Sequence, residues 1–237
     1  MKRPSPEAKV KQSMPASKTS LMAWFGGTFD PVHFGHLRAA EEAALALGAE
    51  VRLLPAHRPP HRTEPRATAE QRLELLRLAL AGQQRLLLDE RELRRDGPSY
   101  SVDTLAELRA EFGSERPFAW IIGQDAFAGL PGWHRWRELF ELAHLVVLDR
   151  PGASGAEAWS ADLRQEVMAR RVSTAAELGQ APAGRVWAIA ITPLAISATA
   201  IRAQIATGGS ARWLCPDSVL ARIAALRLYL GSEAAAG

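Results

Sequence analysis

The 237-residue chain has a single cysteine, Cys215. One thiol excludes an internal disulfide, leaves no cysteine cluster for zinc, and fits a reducing compartment such as the cytoplasm. Long apolar runs are missing too. The sharpest, residues 118–122 and 145–148, have the length of a strand, far short of the roughly 18 consecutive apolar residues of a membrane span. The N-terminal residues lack the apolar region of a secretory signal. Neither the G-x-x-x-x-G-K-[ST] P-loop nor the G-x-G-x-x-G fingerprint occurs, which excludes two common phosphate-binding turns. No internal repeat at solenoid periods is present. Charge of one sign is also scarce once the tail is set aside. The net charge is +3, but residues 1–20 hold Lys2, Arg3, Lys9, Lys11 and Lys18 against Glu7 alone, leaving 24 basic and 25 acidic groups elsewhere. The body therefore has no global basic footprint of the kind a nucleic-acid binder carries.

What is present divides into a tail and a body. Residues 1–20 are rich in Lys, Pro and Ser and read as a disordered basic tail. Residues 21–237 read as one domain. An apolar run at 21–25 ends at Gly26-Gly27, and Ala and Leu at helical spacing continue from His36 to Leu47, where Gly48 is a stop. A strand at 51–54 leads into a loop rich in Pro and His. Thr68 and Gln71 form a capping box before a Leu-rich helix ending near Gly82. Strand-like stretches follow at 85–90, 118–122, 145–148 and 186–191, with helix-like ones at 102–112, 136–142, 199–206 and 217–230 and one helix within 151–184. This alternation predicts an α/β protein with a Rossmann-like, doubly wound parallel sheet, helices on both faces and a helical C-terminus. Ligands of such folds bind beyond the carboxyl ends of the strands, where the strand order switches.

The most informative segment is GGTFDPVHFGH, residues 26–36. It joins a strand to a helix, where backbone N–H groups and the helix dipole attract phosphate. Gly26 and Gly27 let a ligand approach the backbone, Thr28 adds a hydroxyl, and Pro31 stiffens the turn. His33 and His36, with Gly35 between them, stand at the helix mouth. Two imidazoles there can donate hydrogen bonds as negative charge moves onto a leaving pyrophosphate. A zinc site of His33 and His36 with His57 or His61 is the rival reading. Structural zinc takes four ligands, often including Cys, and the glycine-rich turn favours phosphate. A second segment, ISATAIR at 196–202, sets Ser197 as an N-cap and Arg202 about one turn into a helix. It offers an anion N–H groups and a guanidinium.

GGTFDPVHFGH resembles the signature of the nucleotidyltransferases with an H-x-G-H motif, and ISATAIR resembles the I-S-x-T-x-x-R motif that completes their ATP site. Within that superfamily PPHR (59–62), DERELRRDGPSYSVDTL (89–105), IIGQDAF (121–127) and GWHRWRELFELAHLVVLDRPG (132–152) are similar to the bacterial nicotinate-nucleotide adenylyltransferases. The likeness runs from about residue 22 to residue 230 and excludes the tail.

The resemblance implies adenylyl transfer from ATP to nicotinate mononucleotide, giving nicotinate adenine dinucleotide and pyrophosphate, with Mg²⁺ carried mainly on the ATP phosphates. It implies catalytic roles for His33, His36 and Arg202. ATP or its phosphates would meet Gly26, Gly27, Thr28, Phe29, Gly35, Gly123, Asp125, Ile196, Ser197 and Thr199. The mononucleotide would meet Ser101, where the family often has Thr, Trp133, and His134, where Tyr is common. Each has a plainer reading beside it. Asp125 and Ser101 are placed to cap the helices that follow them, Trp133 to cover the sheet edge, and His57, His61 and His144 to serve structure. The phosphopantetheine adenylyltransferases share the first motif but lack the GWHRW and PSYSVDTL blocks. A nucleotide-binding regulator without catalysis is the rival from another class. The expected partners are ATP and nicotinate mononucleotide, with no nucleic acid or membrane, in a monomer or a homodimer.

Overall fold

The computed structural model describes residues 20–60, 64–149 and 159–231. Six strands, β1 (Met22–Gly27), β2 (Val51–Pro55), β3 (Leu86–Leu88), β4 (Phe118–Gly123), β5 (His144–Asp149) and β6 (Val186–Ala190), form one sheet. All their pairings are parallel, and the order is β3-β2-β1-β4-β5-β6. The helices are α1 (Phe34–Leu47), α2 (Ala69–Leu80), α3 (Ser101–Phe112), α4 (Gln124–Ala128), α5 (Leu139–Leu142), α6 (Ala161–Arg170), α7 (Ala175–Leu178), α8 (Ala198–Ala206) and α9 (Asp217–Ala225).

Alternation along the strands sorts the core into two layers, because successive side chains point to opposite faces. Ala23, Leu53, Ile121 and Val146 face one layer with Ala43 of α1, Leu75 of α2 and Ile223 of α9. Trp24, Leu54, Trp120 and Leu145 face the other with Leu105 of α3, Phe140 of α5 and Leu163 of α6. Helices thus cover both faces, as a parallel sheet needs, and the Rossmann-like, doubly wound architecture is the one expected. β1 and β4 lie side by side at the point where the order reverses, so the loops leaving Gly27 and Gly123 open a crevice between them.

Local signals held where they rest on specific hydrogen bonds. Thr68 accepts from Gln71 N, and Gln71 Oε1 accepts from Thr68 N. Gly48 ends α1 in the left-handed conformation. Ser197 caps α8, its Oγ accepting from Ala200 N. Other expectations moved. Tyr100 and Gly123, not Ser101 and Asp125, occupy the N-cap positions of α3 and α4. Ser101 and Asp125 instead sit in the first helical turns. Within 151–184 there are two helices, α6 and α7, and residues 150–158 lie outside the described residues. The helix expected over 217–230 stops at Ala225, because the chain turns left-handed at Arg227 and Tyr229 to bring Tyr229 back against the first loop. The tail expected over 1–20 lies, apart from Ser20, outside the described residues.

Candidate active site

A cavity of about 1120 Å³ opens over the carboxyl ends of β1 and β4. Small-molecule pockets hold roughly 300–1,000 Å³, so this one is slightly larger than that range. Its walls gather residues from across the chain. Gly26, Gly27, Thr28, Phe29, His33 and His36 come from the β1–α1 turn, and Gly123 and Asp125 from the end of β4. Ser101 comes from α3, Trp133 and His134 from the loop before α5, and Ile196, Ser197, Thr199 and Arg202 from the start of α8. Gly35 is not in the wall. It lies behind it, where a Cβ would stand 3.0 Å from the His33 ring and 3.5 Å from the Ile196 carbonyl. Its missing side chain lets the two phosphate-type motifs pack together.

The β1–α1 turn is built tightly. A Cβ on Gly27 would come within 2.8 Å of the Phe29 ring. Phe29 is buried and holds a left-handed φ of 51°, uncommon for a bulky residue. His33 is the N-cap residue of α1. Its ring stacks on His36 at 3.7 Å between centroids, and Phe29 packs edge-on against His36 at 5.0 Å. The two imidazoles are therefore held as one rigid pair at the positive end of a fourteen-residue helix.

Below this turn lies a buried polar cluster. The Asp30 carboxylate accepts from Arg66 N (2.8 Å), Ala67 N (3.2 Å) and Tyr229 Oη (2.7 Å). Arg202 Nη1 donates to the Asp30 carbonyl at 2.6 Å, and its Nη2 lies 3.3 Å from Thr199 Oγ1. Arg72 of α2 is 1% exposed. Its Nη1 donates to the Thr28 and Ala56 carbonyls at 2.8 and 2.7 Å, and its Nη2 to the His57 carbonyl at 3.2 Å. Burial pulls the Arg72 guanidinium below its ordinary pKa. Burial, then the Asp30 charge, pushes the Tyr229 hydroxyl well above the usual phenol range, which keeps it a donor. On the outer side, Glu42 of α1 accepts from Thr192 N and Thr192 Oγ1, both at 2.6 Å, and so ties α1 to the segment leading into α8.

The far wall is organised by Glu92, which is buried and also lines the cavity. Thr104 Oγ1 donates to it at 2.6 Å, and burial raises its carboxyl above the ordinary range. Ser99 Oγ accepts from His57 N and Arg58 N, so the strand-end loops at 57–58 and 99–101 are stitched together. Tyr100 and His134 pack ring to ring at 4.5 Å. His57 and His144 do not line the cavity; His57 Nδ1 lies 3.1 Å from the Arg95 carbonyl and His144 Nε2 2.9 Å from that of Ala181. His61 falls outside the described residues. Among the described residues, no group of three or more His, Cys, Asp or Glu is placed to hold a metal ion, and no helix is long and apolar enough to cross a membrane.

Sequence reasoning passed over Arg72, Tyr229, Glu42 and Glu92. Arg72 carried a signal. It shares the buried face of α2 with Leu75, Leu76 and Ala79, and a charge at a core position of an amphipathic helix asks for partners. Tyr229, between two leucines, carried none.

A Rossmann-like parallel sheet with a large cavity at its switch point, walled by two helix mouths, is the architecture of a nucleotide-handling class, and comparison with known proteins agrees. Residues 24–204 match the family model described as cytidylyltransferase-like. A relative from Halorhodospira halophila is 54% identical over 199 residues, covering 84% of this chain and 90% of its own. One from Dechloromonas aromatica is 50% identical over 210 residues, covering 88% and 97%. Both are named probable nicotinate-nucleotide adenylyltransferase. Among solved structures, the nicotinic acid mononucleotide adenylyltransferase of Plasmodium falciparum complexed with NaAD superposes with a TM-score of 0.67 at 13% identity. The match covers 89% of this chain and 97% of that one, and shows a shared fold. The chain belongs to the cytidylyltransferase-like family and, within it, to the nicotinate-nucleotide adenylyltransferases.

Proposed function

We propose that the protein transfers the adenylyl group of ATP to nicotinate mononucleotide, releasing pyrophosphate. The observation that carries this reading is the convergence of the paired His33 and His36, Arg202 and the Ser101–Trp133–His134 wall on one cavity. A mononucleotide phosphate oxygen attacks the α-phosphorus in line, and the bond from that phosphorus to the oxygen bridging to the β-phosphate breaks. The attacking phosphate is already an anion at neutral pH, so no protein nucleophile is required. Catalysis reduces to positioning and to stabilising charge on the departing pyrophosphate. His33 and His36 donate to phosphate oxygens from the mouth of α1, and Arg202 adds a fixed positive charge from α8. Gly26, Gly27 and Gly123 let the nucleotide lie against the backbone, and Asp125 in the first turn of α4 accepts from a ribose hydroxyl.

The donor set fits a Mg²⁺ that arrives on the ATP phosphates, since the Asp30 carboxylate already accepts three protein donors. When bound, the ion neutralises phosphate charge. On the opposite wall Trp133 stacks on the pyridine ring. Ser101 opens α3, so its hydroxyl and the first-turn N–H groups meet the nicotinate carboxylate at the positive end of a twelve-residue helix. Donors favour a carboxylate over a carboxamide, whose NH₂ they leave unpaired. The expected preference for nicotinate over nicotinamide mononucleotide is roughly ten- to hundredfold in kcat/KM. Pyrophosphate release at saturating Mg-ATP with each mononucleotide measures it. An equal or reversed preference removes the substrate assignment, and no release with either removes the reaction.

A further inference from the structure

We propose that Tyr229 is a positioning residue for the triphosphate side of the site, and that its hydroxyl holds the Asp30 carboxylate away from Arg202. This rests on the assignment of Arg202 to the phosphates. Arg202 faces two possible anions: the phosphates of a bound nucleotide, and the Asp30 carboxylate, whose Oδ2 lies 3.8 Å from Nη1. That separation is a loose ion pair, about an ångström beyond a charge-assisted hydrogen bond. A carboxylate that closed it would neutralise the guanidinium and compete with the ligand.

Three donors keep it from closing. Arg66 N holds Oδ2, the oxygen that faces Arg202, at 2.8 Å, while Ala67 N and Tyr229 Oη hold Oδ1 at 3.2 and 2.7 Å, so the tyrosine fixes the rotation of the carboxylate through its far oxygen. The Asp30 carbonyl meanwhile accepts Arg202 Nη1, so the residue holds Arg202 through its backbone while its charge is turned elsewhere. Both Asp30 and Tyr229 are buried, at 4% and 7% exposure, where a carboxylate that loses one of its donors is free to turn toward a neighbouring cation. For Asp30 that cation is Arg202.

The chain takes an uncommon path to place this hydroxyl. After α9 it enters the left-handed region at Arg227 (φ 51°) and again at Tyr229 (φ 65°), neither of them glycine. Two residues later it passes so close to α8 that a Cβ on Gly231 would stand 2.7 Å from the Ala206 carbonyl. The segment after α9 therefore touches both the first phosphate loop and the helix that carries Arg202.

The test is calorimetric binding of ATP, inorganic tripolyphosphate and nicotinate mononucleotide, which needs no turnover and so stays readable if adenylyl transfer fails. Tyr229→Phe removes one oxygen. It is expected to weaken ATP and tripolyphosphate about tenfold, in line with loss of one charge-assisted contact, and to change mononucleotide affinity less than about twofold. Asp30→Asn removes the charge and keeps one acceptor oxygen for Ala67 N and Tyr229 Oη, so it is expected to bind tripolyphosphate at least as tightly as the wild type. In that background Tyr229→Phe should have little further effect, since a neutral amide does not compete for Arg202. Wild-type tripolyphosphate affinity in Y229F overturns the proposal. So does an equal loss for the mononucleotide, or an undiminished Y229F effect on top of D30N, because a merely structural tyrosine behaves in those ways. Weakened tripolyphosphate binding in D30N alone overturns it as well, and that arm does not depend on Y229F folding.

Discussion

Replacing Arg72 with methionine asks how much of the site's rigidity comes from below. Methionine keeps the length and apolar stem of the side chain but donates nothing. It removes three hydrogen bonds, to the carbonyls of Thr28, Ala56 and His57, which belong to the loops leaving β1 and β2. A hydrogen bond to a charged group is worth about 1.5–3 kcal/mol, so three amount to roughly 4–9 kcal/mol. Against this stands the cost of burying a guanidinium, several kcal/mol, which the substitution relieves. The net loss is on the order of 2–4 kcal/mol. At roughly 2–4 °C per kcal/mol for a chain of this size, Tm should fall by about 5–15 °C. Urea unfolding followed by tryptophan fluorescence measures the free energy, and Arg72→Lys should recover only part, because one ammonium cannot reproduce a fork aimed at three carbonyls. A loss below about 0.5 kcal/mol for Arg72→Met, the range of ordinary surface substitutions, would show that these loops hold themselves and that the geometry has been over-read.

Two further expectations are more direct. His36→Ala should lower kcat by ~10²–10³, the scale for one transition-state donor, while the circular dichroism spectrum stays unchanged; turnover near the wild-type rate removes the role. His144 receives the Arg185 N–H on Nδ1 at 3.0 Å while Nε2 meets the Ala181 carbonyl, so the folded protein holds the ring neutral, and burial lowers its pKa. The unfolded chain takes up that proton first, at about pH 6.5. Stability is therefore intact above that pH and falls as the pH drops below it, by at most about 1.4 kcal/mol per pH unit. His144→Gln should flatten the slope between pH 7 and 5, and an unchanged slope assigns the acid sensitivity to other groups.

Sequence gave access to what is short and contiguous. The run Phe118–Gly123 is buried along nearly its whole length, so it reads as a parallel strand whatever surrounds it. Both motifs, the β1–α1 turn and the start of α8, are single turns whose residue types point to an anion, and all their predicted residues except Gly35 line the cavity. The five-residue α4 is too short to show a helical period, and pattern alone does not separate an N-cap from the position after it, hence the one- and two-residue shifts at Ser101 and Asp125. The Asp30–Tyr229 contact joins residues 199 apart. No local pattern encodes it, and a tyrosine between leucines looks like any other part of an apolar helix end.

That same span orders events in time. A ribosome adding about 5–20 residues per second releases the first phosphate loop roughly 10–40 s before it reaches Tyr229, 199 residues later. Until then β1 already has β2 as a neighbour, but α8 and the segment behind α9 are still to come, and the cavity wall that carries Arg202 is missing opposite the histidine pair. A nascent chain can carry the whole first motif and still lack the opposite wall of the cavity. The cavity over β1 and β4 is therefore among the last features to assemble, and its closure reports on completion of the fold as a whole rather than on any early-forming piece of it.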